Sequence, residues 1–166
     1  MNQPSPPPRA NFFDASALVK VFADEPDGET LRDYWNSRSP TKHTTPFCFY
    51  EALSILKGKW VNRRELTKEQ YLESSFRLWA WFNAATRHAT DVDLHDVHTF
   101  FRVKEIAERH SLDLSDAFQI ISVKDGYFSA LINDSRTVLI TADKARSVAA
   151  RAEGLRVWYC VDEPEP

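Results

Sequence analysis

The sequence predicts an α/β domain with a central parallel sheet and helices on both of its faces. Three observations carry this. Short apolar segments of strand length alternate along the chain with longer stretches of helical periodicity, the order that builds a parallel sheet through helical crossovers. The best strand candidate, Val138–Thr141, reads as buried. The chain has 166 residues, of which 43% are hydrophobic, enough for one domain with a sizeable core.

The elements follow in order. Met1–Ala10 contains Pro4, Pro6, Pro7 and Pro8 and lacks an apolar run, which predicts a flexible arm (residues 1–10) before a domain over residues 11–160. Asn11–Phe13 is a short strand, followed by a helix over Ala15–Phe22 that the turn Asp24–Gly28 closes. Residues 29–36 suit a short helix and Lys42–Thr45 a strand. A helix starts at Pro46, a first-turn proline, and is expected to end at Lys57 because Gly58 is a common stop residue. Thr67–Thr86 reads as a long helix with Leu72, Phe76, Trp79 and the Tyr71/Leu78/Phe82 row on one broad face. Val92–Leu94 suggests a short strand. Val97–His110 is helical, with Phe100, Val103 and Ala107 aligned, and Ser115–Asp125 is a helix stopped by Gly126. The strand Val138–Thr141, a helix over Lys144–Glu153 stopped by Gly154, and a last strand Arg156–Tyr159 complete the domain. Residues 161–166 are acidic and proline-containing, and are expected to be loose.

Composition removes several function classes. The four glycines, Gly28, Gly58, Gly126 and Gly154, lie far apart, so no glycine-rich dinucleotide loop, P-loop or nucleophile elbow can form. Twenty-one basic against twenty-four acidic residues give a net charge of −3, so the chain is no global polycation. Cys48 and Cys160 form no disulfide framework and show no zinc spacing. His95 and His98 lie in a run, DVDLHDVH, that lacks the glycine and final glutamate of a calcium loop. With no signal-like start and no apolar run near the roughly 18 residues of a membrane span, the expectation is a cytoplasmic protein without a membrane partner.

Ligands of open parallel sheets bind beyond the carboxyl ends of the strands. Asp14 follows the first strand there, Asp143 follows Val138–Thr141, and Asp116 lies at the start of a helix. Each aspartate alone suits an N-cap, and Asp116 has Gln119 three positions on, close to a capping box. Glu51 resists that explanation. Its i−4 and i+4 neighbours are Phe47 and Ile55, and no Lys or Arg lies within four residues, so a metal cation is the expected partner. Oxygen donors without histidine or cysteine suit Mg²⁺ or Mn²⁺, and a pair of such ions roughly 3.5–4 Å apart can drive in-line phosphodiester hydrolysis. Ser16 and Thr141 are accessory candidates for orienting a water or phosphate oxygen, or else ordinary capping hydroxyls.

Four separated runs then carry a family resemblance: FFDASALVKVFADEP (12–26), FCFYEALSILKG (47–58), IAERHSLDLSDAFQI (106–120) and TVLITADKARSVAARAEGLRVW (137–158). In this order they resemble PIN-domain ribonucleases, and are most similar to the VapC-type toxins of toxin–antitoxin pairs. The resemblance implies a three-layer sandwich, with Asp14, Glu51, Asp116 and Asp143 binding Mg²⁺ or Mn²⁺ and catalysing RNA hydrolysis. It also implies a homodimer and an antitoxin partner protein. The first motif reads DAS where many members have DTS, which loses a hydroxyl at Ala15 and keeps Ser16. Asp113 has no fixed counterpart and reads as a loop acid rather than an auxiliary ligand.

Between Lys57 and Arg87 seven basic residues face three acidic ones, a local excess of +4 in an acidic chain. Lys59, Trp60, Arg63 and Arg64 combine cations with an aromatic ring, the means by which single-stranded RNA is held. A solvated helix face is the other reading. Two further functions compete with the nuclease. A phosphatase with Asp14 as nucleophile lacks the acid it needs at position 16. A non-catalytic PIN-like scaffold would bind RNA or protein without cutting.

Overall fold

A computed structural model describes residues 10–37, 41–84, 91–126 and 137–166. The N-terminal arm up to residue 9, the last residues of the predicted 67–86 helix, and Arg87 lie outside them. Four strands form one sheet in the order β2-β1-β3-β4, with every neighbouring pair parallel. They are β1 (Ala10–Phe13), β2 (Thr41–His43), β3 (Thr137–Thr141) and β4 (Arg156–Tyr159). The register sets Phe12 beside Leu139, and Leu139 beside Val157. All residues of β1 and β3 are buried, as central strands covered on both faces must be.

Seven α-helices cover the sheet among the described residues: α1 (Ala15–Phe22), α2 (Glu29–Asn36), α3 (Pro46–Val61), α4 (Lys68–Ala84), α5 (Val97–His110), α6 (Leu114–Lys124) and α7 (Lys144–Ala152). None is long and apolar enough to cross a membrane. The core joins Phe12, Phe13, Leu139 and Ile140 of the sheet to Leu18, Leu56, Ile120 and Ile121 of the helices. Trp35 anchors one side, with edge contacts to Phe13, Phe22 and Trp81. Buried Asn11 donates through Nδ2 to Tyr34 Oη at 3.0 Å, so the polar residue in the central strand has a partner.

Several element boundaries differ from expectation, each for a local reason. Helix α3 runs through Gly58 to Val61 and is capped at Asn62. Gly58 has helical neighbours that pack beyond it: Trp60 stacks on Tyr71 of α4 with ring centroids 5.0 Å apart. Tertiary contact thus outweighs the roughly 0.5–1 kcal/mol that glycine costs inside a helix. Val92–Leu94 forms no strand; an Asx turn at Asp93, whose carboxylate accepts from His95 N–H, leads instead into the Asp96 cap of α5. On α4 the broad apolar face divides: Leu78 is buried with Tyr71 and Phe82 packed nearby, while Leu72, Phe76 and Trp79 are exposed. Phe100 is likewise exposed, although Val103 and Ala107 on the same helix are buried. The acidic tail, expected to be loose, is tied down through Glu163. Its backbone carbonyl accepts from Trp158 Nε1, and its carboxylate from Tyr159 N–H and Arg151.

Candidate active site

Asp14 lies at the carboxyl end of β1, where its N–H extends the ladder to Ile140 carbonyl at 3.2 Å. It is the N-cap of α1 and fully buried. Oδ1 accepts from Ala17 N–H at 2.8 Å and from the Ser16 hydroxyl at 2.7 Å, so this oxygen belongs to the cap. Oδ2 points the other way and meets Arg146. Asp143 follows β3 and caps α7 in the same manner, accepting from Arg146 N–H at 2.8 Å. Ser16 Oγ and Thr141 Oγ1 lie 3.2 Å apart and accept from Ala142 and Asp143 N–H, which stitches the β3–α7 turn to the start of α1. Both hydroxyls thus bond to the turn between β3 and α7, while the helix caps themselves are Asp14 and Asp143.

Asp116 stands in the first turn of α6 and is not its cap; that position belongs to Asp113, whose side chain makes no capping bond. Gln119 likewise forms no capping box. One turn further along α6, it is buried at the centre of the network. Its Oε1 accepts from Ala15 N–H (3.0 Å), Arg146 Nη1 (3.2 Å) and the Cys48 thiol (3.4 Å). Its Nε2 donates to Glu51 Oε2 at 3.1 Å. Glu51 also accepts from Ser115 Oγ at 3.3 Å. Burial pushes the Glu51 carboxyl above its ordinary value; Arg146 works against that shift and Asp116 adds to it.

The residue that sequence reasoning missed is Arg146. It is buried on α7, and its guanidinium bridges two of the acids, Nη1 to Asp14 Oδ2 at 2.5 Å and Nη2 to Asp116 Oδ1. Burial alone would favour losing its proton, but Asp14 and Asp116 outweigh burial and hold it charged. The chain offers Glu51 no cation within four residues; Arg146, 95 positions away, bears on it through charge alone. The signal available in the sequence was weak: an arginine three residues after Asp143, one α-helical turn inside the element that this aspartate caps.

These side chains bear on a divalent metal in two ways. Their chemistry fits, since Asp14, Asp116 and Glu51 offer carboxylate oxygens and nothing soft. Their availability does not, because Arg146 already bridges Asp14 and Asp116. Among the described residues no group of three His, Cys, Asp or Glu side chains is disposed to hold a metal ion.

The predicted RNA-contacting segment lies elsewhere. Lys59 pairs with Glu25, beyond the far end of α1 from Asp14, and with Glu65 at 2.6 Å. Arg63 is exposed, 3.5 Å from Glu65, and Arg64 is exposed with a left-handed backbone (φ 54°). Lys59 is eight residues, about 12 Å along the helix axis, from Glu51. The segment is therefore not gathered around the carboxylates. Cys48 and Cys160 are both free and buried, each thiol pushed up to about 12 by burial.

A parallel α/β domain whose acids converge beyond the carboxyl ends of β1 and β3 has the layout of a nuclease-like fold. Comparison with protein families matches residues 12–152 to the PIN domain, and the chain belongs to that family. PIN domains are generally nucleases, and their nucleases generally use divalent metals. Comparison with curated proteins finds no match.

Proposed function

We propose that this protein is an endoribonuclease that hydrolyses RNA phosphodiesters. The observation that carries the reading is the convergence of Asp14, Glu51 and Asp116, from three separate elements, on one network built around Gln119 and Arg146. Buried or half-buried acids gathered at a strand-end rim are expensive to maintain, and that expense marks functional sites. Asp14, Glu51, Asp116 and Asp143 are the residues that would hold Mg²⁺ or Mn²⁺, and a bound ion would supply an activated water and charge stabilisation at the phosphate. Gln119 orients Glu51, while Ser16 and Thr141 fix the turn that carries Asp143. Trp60, Arg63 and Arg64 would guide the RNA at a distance from the cut.

The four motifs in order support a narrower assignment, the toxin of a type II toxin–antitoxin pair, acting in the cytoplasm as a homodimer held in check by an antitoxin. Exposed Leu94 before α5, Phe100 and Phe101 on it, and Leu114 at the start of α6 offer an apolar surface suited to such a protein contact. The second reading, a non-catalytic PIN-like scaffold, is favoured by one specific observation: Arg146 occupies the acids.

The test is cleavage of a total RNA pool with Mn²⁺ or with EDTA, wild type beside Glu51→Gln. That variant is chosen because glutamine keeps partners for Ser115 and Gln119. Discrete fragments only with wild type and metal would establish the nuclease. No cleavage by folded protein that binds Mn²⁺ would point to a narrower substrate, and cleavage undiminished in Glu51→Gln would point to contamination.

A further inference from the structure

A divalent ion and a guanidinium cannot hold the same two carboxylate oxygens. Arg146 takes Oδ2 of Asp14, the one oxygen of that residue free of the helix cap, together with Oδ1 of Asp116. Its backbone is fixed at the same time by Asp143, through the 2.8 Å bond from Arg146 N–H. The side chain of one residue thus reaches two of the four predicted metal ligands, and its main chain a third.

A second observation concerns how well the guanidinium is housed. Arg146 is 3% exposed, yet its Nε is buried without a hydrogen-bond partner. A structural arginine in a finished pocket would have that donor satisfied. Here both Nη groups are met, by Asp14, Asp116 and Gln119, and Nε is not. The pocket suits the charge better than it suits the side chain.

We propose that Arg146 is a built-in competitor for the metal: it neutralises Asp14 and Asp116 in the ion-free protein and must swing away before a divalent cation can bind. This rests on the nuclease reading above and adds to it a regulated first step. Its consequence is weak metal affinity in the wild type, the apparent dissociation constant for Mg²⁺ or Mn²⁺ being raised by the inverse of the fraction of molecules in which Arg146 has swung away. The fork geometry matters, since a lysine carries the charge but cannot bridge two carboxylates in the two-pronged way.

The experiment measures Mn²⁺ binding without RNA, by electron paramagnetic resonance of the free ion, in wild type, Arg146→Met and Arg146→Lys stripped of metal. Thermal melts with EDTA and with Mn²⁺ accompany it. The expected result is binding at least tenfold tighter in Arg146→Met than in wild type, with Arg146→Lys between them. Arg146→Met should also melt below wild type in EDTA and recover in Mn²⁺. If Arg146→Met does not fold, Arg146→Lys decides: tighter binding than wild type supports the competition, and equal or weaker binding overturns it. Equal affinity in folded Arg146→Met and wild type also overturns it, while leaving the nuclease reading intact. No Mn²⁺ binding by any of the three would overturn both.

Discussion

Replacing Gln119 by leucine tests whether the site is held by its central amide. Leucine fills nearly the same space but removes one acceptor and two donors. Ala15 N–H, bonded at 3.0 Å, would be left buried and unpaired, a loss of about 1–3 kcal/mol. Arg146 loses an acceptor at 3.2 Å and Glu51 a donor at 3.1 Å; bonds to charged groups contribute about 1.5–3 kcal/mol each, less where water reaches half-buried Glu51. A total near 3–4 kcal/mol is expected, which for a domain of this size lowers Tm by roughly 10 °C. Urea unfolding followed by circular dichroism measures it, with a thermal melt as check. Gln119→Glu provides the contrast, because it sets a carboxylate against Glu51 where an amide N–H stood. One of the pair must then hold a proton more tightly when folded than unfolded. Stability of Gln119→Glu should fall as pH rises above about 4.3, the ordinary glutamate value, and be regained on acidification. Gln119→Leu should show no such added slope. A loss below about 1 kcal/mol in Gln119→Leu would refute the assignment of Gln119 as the hub.

Other outcomes follow from the same structure. Gly58→Ala should stabilise the protein by about 0.5–1 kcal/mol, since Gly58 lies inside α3 and an added Cβ would meet only Asn62 Nδ2 at 3.9 Å; a destabilised variant in urea titration would mean that the helix stops there. Glu153 accepts from Lys124, His110 and Arg109, which hold its carboxyl down to about 2. Its folded value lies below its unfolded one, so its contribution is present above about pH 4.5 and lost as pH falls toward 2. Glu153→Gln should cost about 1–2 kcal/mol at pH 7, discounted because Arg109 and Lys124 are partly exposed, and should flatten that acid limb in pH-dependent melts. Asp14→Asn should cost about 3 kcal/mol in EDTA, because it leaves half of the Arg146 fork buried against a neutral group; activity loss in that variant is meaningful only beside a melt showing it folded.

The strand–helix alternation was legible because each crossover shows its own periodicity. Asp14 and Asp143 were legible as caps because capping is local, and they are caps. What escaped was non-local. Gly58 reads as a stop by its own preference, but Trp60 on Tyr71 carries the helix past it. Leu72, Phe76 and Trp79 share a helical row with buried residues, and only the position of α1 and α3 decides which side of α4 is covered. Arg146 could not be assigned to Glu51, Asp14 and Asp116 by spacing, since the sheet order brings α7 to them only after β3 pairs with β1. Gln119 looked like part of a capping box and is instead the amide around which the acids are arranged.

The strand order β2-β1-β3-β4 has a consequence for the timing of folding. The first strand made is an interior one, and its longest partner, β3, begins at Thr137. Until that segment has been synthesised, β1 has only the three-residue β2 beside it, and Asp14 has neither Arg146 nor the β3–α7 turn. A nascent chain halted before residue 137 holds three of the four acids but cannot assemble them. Since long-range pairing must wait for both partners, the cluster cannot assemble before β3 and α7 are present to complete it.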